Sequence, residues 1–427
     1  MYTIGIDIGT TSICGILMNC ETGEILHTEN TENNSFIQTD KPYEKIQNVK
    51  IISDKVFEVL NRLFEKQSEI HSIGISNQMH GILYTDKNGE AVSPLYIWQD
   101  ERGNLPYRDG RTYAQFLSSF AGYGLVTDFY NRENGIVPKD AAFCCTIGDY
   151  IAMKLCGKAE PLMHITNAAS FGCFDIVKNK FTIDNGMLPS VTDKFELVGT
   201  YKNAGVCVAI GDNQASFIGS VGEAAPLVNV GTGSQISYLN SEPVAAENIE
   251  TRPFDGESYL IVGASLCGGR AFALLERFFA SVVEMATGQE CDSLYKQIDK
   301  MLETKTKTDM KADSRFCGTR KNPNIRAGFY DISQENFTAG DMTVAILYAI
   351  ADELKNMYAG ENTEKVVCSG NGIRKNPALQ RVVSEIFNAE ILIPSHKEEA
   401  SFGAALASMT ATGKYTLGQA QNLIKYR

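Results

Sequence analysis

The chain of 427 residues exceeds what one ordinary core supports and fits two domains of about 200 residues each. Its composition, 44% hydrophobic and 21% charged, is that of a globular protein, and a formal net charge of −12 argues against nucleic acid or an anionic membrane surface as partner. No apolar run approaches the roughly 18 residues of a membrane span, and the 11 cysteines include no CxxC pair, so reduced thiols in a cytoplasm are expected rather than a disulfide, zinc or iron–sulfur framework.

In chain order, residues 2–30 read as three short antiparallel strands, TIGIDIG, SICGILMN and EILHTEN, the last two joined by a turn holding Glu21, Thr22 and Gly23. Asp7 lies inside the first apolar strand with no basic leader before it, which does not read as a secretory signal. A helix is expected from about Lys45 to Lys66, with Ile46, Val49, Ile52, Val56, Leu60 and Leu63 on one face. HSIGIS supplies the next strand and ends in the polar cluster NQMHG. Three strands, a helix and a strand are the order of a ribonuclease H-like core. The segment GILYTDKNGEAV reads as a hairpin leading to LYIWQDERG, which carries the only tryptophan, Trp98. Residues 104–200 read as helices and loops inserted into this core. Polar residues and Gly205 then precede the apolar strand VCVAIGD, placing a boundary near 202–206 and dividing the chain into 1–204 and 205–427.

The second part repeats the plan of the first. IGIDIGTTSICGI at 4–16 matches PLVNVGTGSQISY at 226–238, so that Asp7 aligns with Asn229, Gly9 with Gly231, Thr10 with Thr232, Thr11 with Gly233 and Ser12 with Ser234. Each copy is a strand, a turn of glycine and hydroxyl residues, and a second strand. Such turns leave backbone N–H groups open to an anion and add hydroxyl donors, which is the chemistry of a phosphate cradle. A match of this length favours duplicated domains. The fold class expected is therefore α/β, two duplicated ribonuclease H-like (actin-like ATPase) domains with an interdomain cleft gripping one nucleotide.

The stretches GIDIGTTS (5–12), SNQMHG (76–81), WQDERG (98–103), DYIAMKLCG (149–157), TNAASFGCFDI (166–176), GDNQAS (211–216), NVGTGS (229–234) and SGNGIRKNPALQ (369–380) together resemble the FGGY carbohydrate kinase family over nearly the whole chain. Residues 104–148 and 329–342 match it poorly. QMHG with GDN is similar to the ketose and pentulose kinases of the family; its glycerol kinases have Arg-Glu at Met79-His80 and Gln at Asn213. The resemblance implies ATP-dependent phosphorylation of a primary hydroxyl of a ketose such as sedoheptulose or D-xylulose, with Asp212 as general base. It implies substrate contacts from Met79, His80, Asp100 and Asn213. ATP contacts would come from Thr10 and Thr11 in the first cradle, from Gly231, Thr232 and Gly233 in the second, and from Gly372 and Asn376 at the adenosine end. Mg2+ would be held by Asp7.

Read from the residues alone, several of these stay open. Asp7 is a hard oxygen donor suited to Mg2+, or an Asx-turn residue closing the hairpin. GDN is a strand-end base or an ordinary turn. His80 reads more simply as a surface or core histidine, Arg102 as half of a structural ion pair with Glu101 or a distant acid, and Trp98 as core filler or a sugar-stacking surface. A nucleotide-responsive interaction protein without turnover shares the double cradle but leaves QMHG, WQDERG and GDN unexplained. The partner expected is a small-molecule sugar; the oligomeric state is open, a homodimer being one option.

Overall fold

A computed structural model describes every residue except 223, 247, 320, 321, 361 and 362. The chain forms two compact units. One comprises Met1–Glu223, Arg252–Tyr259 and His396–Lys425; the other comprises Ala224–Thr251, Leu260–Ser395 and Tyr426–Arg427.

The first unit opens with β1 (Tyr2–Ile8), β2 (Ser12–Asn19) and β3 (Ile25–Glu32), as the alternating pattern predicts. Helix α1 (Val49–Lys66) buries Val49, Ile52, Val56, Val59, Leu60 and Leu63. It starts later than Lys45 because the Asn48 side chain caps it, accepting from the Ile51 amide at 3.1 Å, while Ile46 and Gln47 pair with Tyr96 and Leu95 instead. Strand β4 (Ile70–Asn77) follows, and the inserted segment contributes α2 (Ile147–Leu155) and α3 (Ile165–Phe171). The chain then returns through β5 (Leu197–Tyr201), β6 (Ala204–Cys207) and the short β7 (Ile210–Gly211) into α4 (Asp212–Ser220). Among the described residues the sheet order is β5-β6-β4-β1-β2-β3, with β7 also pairing β4.

The expected division at 204/205 falls inside this unit. β6 and β7 both pair with β4 in parallel, so the VCVAIGD segment completes the first sheet and does not begin the second. A second displacement involves the C-terminal helix Glu399–Ala411, which also belongs to the first unit. Gly5 and Gly74 are register partners on β1 and β4, and a Cβ on either would lie 1.8 Å from a carbonyl oxygen, that of Ser401 or Ala404 respectively. Only bare backbone lets this helix lie so close to the sheet. Thr3, Ser72 and Ser408 then join it through hydroxyl contacts of 2.8–2.9 Å. Gly74→Val should lower stability by at least about 1–3 kcal/mol, the usual cost of overpacking, as read from the urea midpoint; an unchanged midpoint would contradict this packing.

In the second unit β8 (Leu227–Val230) and β9 (Ser234–Asn240) form the repeated hairpin. Strands β10 (Ile249–Pro253) and β11 (Tyr259–Ser265), helices α5 (Gly269–Thr287) and α6 (Ala339–Asn356), and β12 (Lys365–Ser369) follow. The short α7 (Asn371–Arg374), α8 (Pro377–Phe387) and β13 (Glu390–Leu392) complete it. The sheet order, β10-β11-β9-β8-β12-β13, contains the series β11-β9-β8-β12-β13, which corresponds to β3-β2-β1-β4-β6 of the first sheet. The equivalence reaches single side chains. Asp7 accepts a hydrogen bond from Ser76 Oγ at 2.8 Å, and Asn229 Nδ2 donates to Ser369 Oγ at 2.8 Å, each pair spanning register partners on parallel strands.

Candidate active site

In the first unit, Asp7 on β1, Ser76 on β4 and Ile210 on β7 lie in one row across adjacent strands. Gly211 pairs with Asn77 one step further, and Asp212 then opens α4. This is the carboxyl end of parallel strands, where open α/β sheets bind ligands. Asp7 and Asp212 both keep some solvent access. Burial raises the pKa of Asp7, with the Ser76 hydrogen bond opposing. Asp212 is pushed up to about 7 by burial first and by the negative charge of Asp7 second; Arg252 and the Asn213 backbone oppose the shift. A carboxylate poised near neutrality and open to solvent suits proton abstraction from a hydroxyl.

Met79 is brought beside the Asp212 turn. A Cβ on Gly211 would lie 3.0 Å from both Cγ and Sδ of Met79, and Arg252 Nη1 lies 3.7 Å from that sulfur. His80 adopts a φ of 73°, sparsely populated for a non-glycine residue. Its amide donates to Ser170 Oγ at 3.2 Å, and its Nδ1 lies 2.8 Å from the Ser170 carbonyl, which makes Nδ1 the donor. The imidazole stacks on Tyr123 with centroids 4.3 Å apart. Asn213 follows Asp212 in the first turn of α4.

Asp100 is placed differently. It is 1% exposed and its oxygens are taken by Arg102 Nε at 2.6 Å, Arg102 Nη2 at 3.0 Å and the Lys45 amide at 2.9 Å. Its carboxylate holds the loop together, and Arg102 pairs with Asp100 and Glu44 rather than Glu101. Trp98 is not core filler: it is 48% exposed and donates from Nε1 to Thr10 Oγ1 at 3.0 Å.

The first cradle is held by polar residues that sequence reasoning missed. Gln47 Nε2 donates to the Thr10 carbonyl at 2.8 Å, Asn33 Nδ2 to the Gly9 carbonyl at 2.7 Å, and Thr10 Oγ1 to Gln78 Oε1 at 2.9 Å. The Thr10 hydroxyl is thus committed within the protein, whereas Thr11 is exposed. Gln47 falls at the start of the expected helix with nothing local to mark it, and Gln78 lies in the polar NQMHG cluster, where the pattern gives it no role.

In the second unit a cavity of about 790 Å3 is lined by Gly231 and Thr232 of the second cradle and by Asn371, Gly372 and Asn376 after β12. Phe272, Leu347, Ile350 and Leu379 supply apolar walls, Arg270 and Lys375 supply cations, and Asp299 a carboxylate whose pKa burial raises. The size suits a nucleotide-sized ligand. Gly269 and Arg270 amides donate to the Gly231 and Thr232 carbonyls at 2.9 and 3.0 Å, latching the start of α5 to the cradle. A Cβ on Gly231 would meet no protein atom within 4 Å, so its bareness serves the open cavity, whereas one on Gly372 would lie 2.7 Å from the Val230 carbonyl. Gly233 packs inward, a Cβ there lying 2.7 Å from the Ser265 carbonyl, and Asn376 caps α8 by accepting from the Leu379 amide at 2.9 Å.

Among the described residues no group of three or more His, Cys, Asp or Glu is arranged to hold a metal ion. Asp7, whose charge is near enough to raise Asp212, nevertheless fits Mg2+, which takes one or two carboxylates and fills its shell with water and phosphate oxygens. No helix among the described residues is long and apolar enough to cross a membrane.

Comparison with known proteins identifies the family and the fold. Residues 2–108 match the model of the N-terminal domain of the FGGY family of carbohydrate kinases, and residues 227–412 that of the C-terminal domain. The chain is 27% identical to the sedoheptulokinase of Mus musculus over 95% of its own length and 97% of that protein. It is 23% identical to the xylulose kinase of Lactococcus lactis over 97% and 88%. A ligand-bound xylulose kinase structure from Lactobacillus acidophilus superposes with a TM-score of 0.82 at 18% identity, covering 100% of this chain and 92% of that one, a likeness of fold.

Proposed function

Since the chain belongs to the FGGY family of carbohydrate kinases, we propose that it transfers the γ-phosphoryl group of ATP to a primary hydroxyl of a ketose, with sedoheptulose and D-xylulose the leading acceptors. The observation that carries this reading is the raised Asp212 carboxylate beside Asp7 and Met79 at the strand ends. Asp212 accepts the proton of the attacking hydroxyl. His80 and Asn213 offer polar groups to the sugar, Met79 an apolar contact, and Asp100 acts by fixing the loop through Arg102 rather than by touching the sugar. A site built to satisfy a polyol's hydroxyls rejects acceptors that leave its donors unmatched.

In the second unit, the Gly231 and Thr232 turn with Arg270 and Lys375 is assigned to the phosphates, and the apolar walls with Gly372 to the adenosine. Asp7, oriented by the hydrogen bond from Ser76, would hold Mg2+, which would supply charge neutralisation to the phosphates. ADP release measured with Mg-ATP should be slow alone and rise many-fold on adding ketose. Equal hydrolysis with and without sugar would overturn the assignment.

A further inference from the structure

Two of the family-like stretches, DYIAMKLCG and TNAASFGCFDI, have no part in the chemistry above, yet both lie directly beneath it. Helix α3 begins one residue before the second stretch, at Ile165. From the proposed kinase reading, we infer that Thr166, Asn167 and Ser170 of α3 are positioning residues that fix the Asp212 turn and the His80 loop to one another.

The contacts run from one short helix to both halves of the acceptor site. Thr166 Oγ1 accepts from the Gly211 amide, the residue before Asp212, at 3.1 Å. Its own proton goes to His164 Nδ1 at 3.0 Å, which is an acceptor because it also receives the Thr166 amide in capping α3. Asn167 Nδ2 lies 3.2 Å from the Ala209 carbonyl, 3.1 Å from Asn77 Oδ1 and 3.2 Å from Asp149 Oδ1. It therefore ties the strand entering Asp212 to the end of β4, and both to α2. One turn later, Ser170 holds His80 through its Oγ and its carbonyl. Thr166 and Asn167 are fully buried and Ser170 is 3% exposed, so water does not replace these bonds freely. Gly148 on α2 fits the same plan, since a Cβ there would lie 2.1 Å from Asn77 Oδ1.

A base held within a fraction of an ångström of its target loses rate when its support loosens, even where binding survives. The two ends of α3 should therefore separate kinetically. Thr166→Val, which keeps shape and removes the hydroxyl, should lower kcat about tenfold with both KM values within about twofold, and Thr166→Ser should restore it. Ser170→Ala should instead raise the sugar KM several-fold with kcat held. A readout that needs no turnover is hydrogen exchange of the Gly211 amide, which donates to Thr166 Oγ1: Thr166→Val should speed it several-fold and Thr166→Ser should not.

An unchanged Gly211 exchange rate together with unchanged kinetics in Thr166→Val would overturn the inference. A wild-type protein that phosphorylates no ketose, but whose Gly211 amide exchanges faster in Thr166→Val and not in Thr166→Ser, would leave the positioning contact standing and sink the kinase reading. Should Thr166→Val fail to fold, Ser170→Ala decides, and an unchanged sugar KM there overturns the coupling to His80.

Discussion

Asp212→Asn is expected to lower kcat by roughly 10²–10⁴-fold, the usual contribution of a positioned base, and at the same time to raise thermal stability. The two effects share a cause. The folded-state pKa of Asp212 is about 7, against an ordinary value of 3.8, so folding favours the protonated form. Below about pH 4 the carboxyl is neutral in both folded and unfolded chains and costs nothing. Between pH 4 and 7 the unfolded chain ionises freely while the folded site resists, and stability is progressively lost; above pH 7 the loss is complete. The isosteric amide removes that penalty. Melting curves at pH 8 should place Asp212→Asn above wild type, and at pH 4 the two should coincide. A drop in both activity and melting temperature at pH 8 would mean that Asp212 is structural. In the wild type, kcat/KM for the sugar should rise with pH through about 7, because the base acts only when deprotonated.

Asp7→Asn should raise the Mg2+ concentration needed for half-maximal rate by at least about 10–100-fold, on the scale of lost metal-site interactions, while leaving the fold intact and, because burial raises the Asp7 pKa too, shifting stability above neutral pH upward as in Asp212→Asn. The chain itself contains the control. Asn229 occupies the matching position of the second sheet and bonds Ser369 across the equivalent pair of strands, β8 and β12, so an amide fits where Asp7 bonds Ser76. Only the charge is removed. Because the negative charge of Asp7 helps raise Asp212, the acid limb of the rate profile should also move to lower pH. A Mg2+ requirement equal to wild type would assign the metal elsewhere.

Local pattern carried the hairpins, α1 and β4, since alternation and helical spacing are written in neighbouring residues. The duplication was legible for the same reason, down to the Asp7 and Asn229 correspondence. The division of the chain was not. Gly5 and Gly74 lie far apart in sequence from the Glu399–Ala411 helix they admit, and the one local hint, the small residues of GAALAS at 403–408, does not name its partner. Resemblance alone assigns Asp100 to the sugar; its commitment to Arg102 and the Lys45 amide depends on a loop conformation that its neighbours do not spell out. Arg252 reaches Met79 from the end of a strand, and nothing in its neighbours marks it. The supports under Asp212 were visible as motifs, TNAAS and DYI, but their role appears only once α3 is seen bonding Gly211 and His80.

The ketose kinase reading is tested most directly by identifying the product. Incubation with Mg-ATP over a panel of ketoses, polyols and glycerol, followed by mass analysis and 31P and 13C NMR of the sugar, should yield ADP and a ketose phosphorylated on a primary hydroxyl, with sedoheptulose or D-xylulose the best acceptor. ADP accompanied only by inorganic phosphate, or nucleotide binding with no phosphosugar from any acceptor, would contradict it.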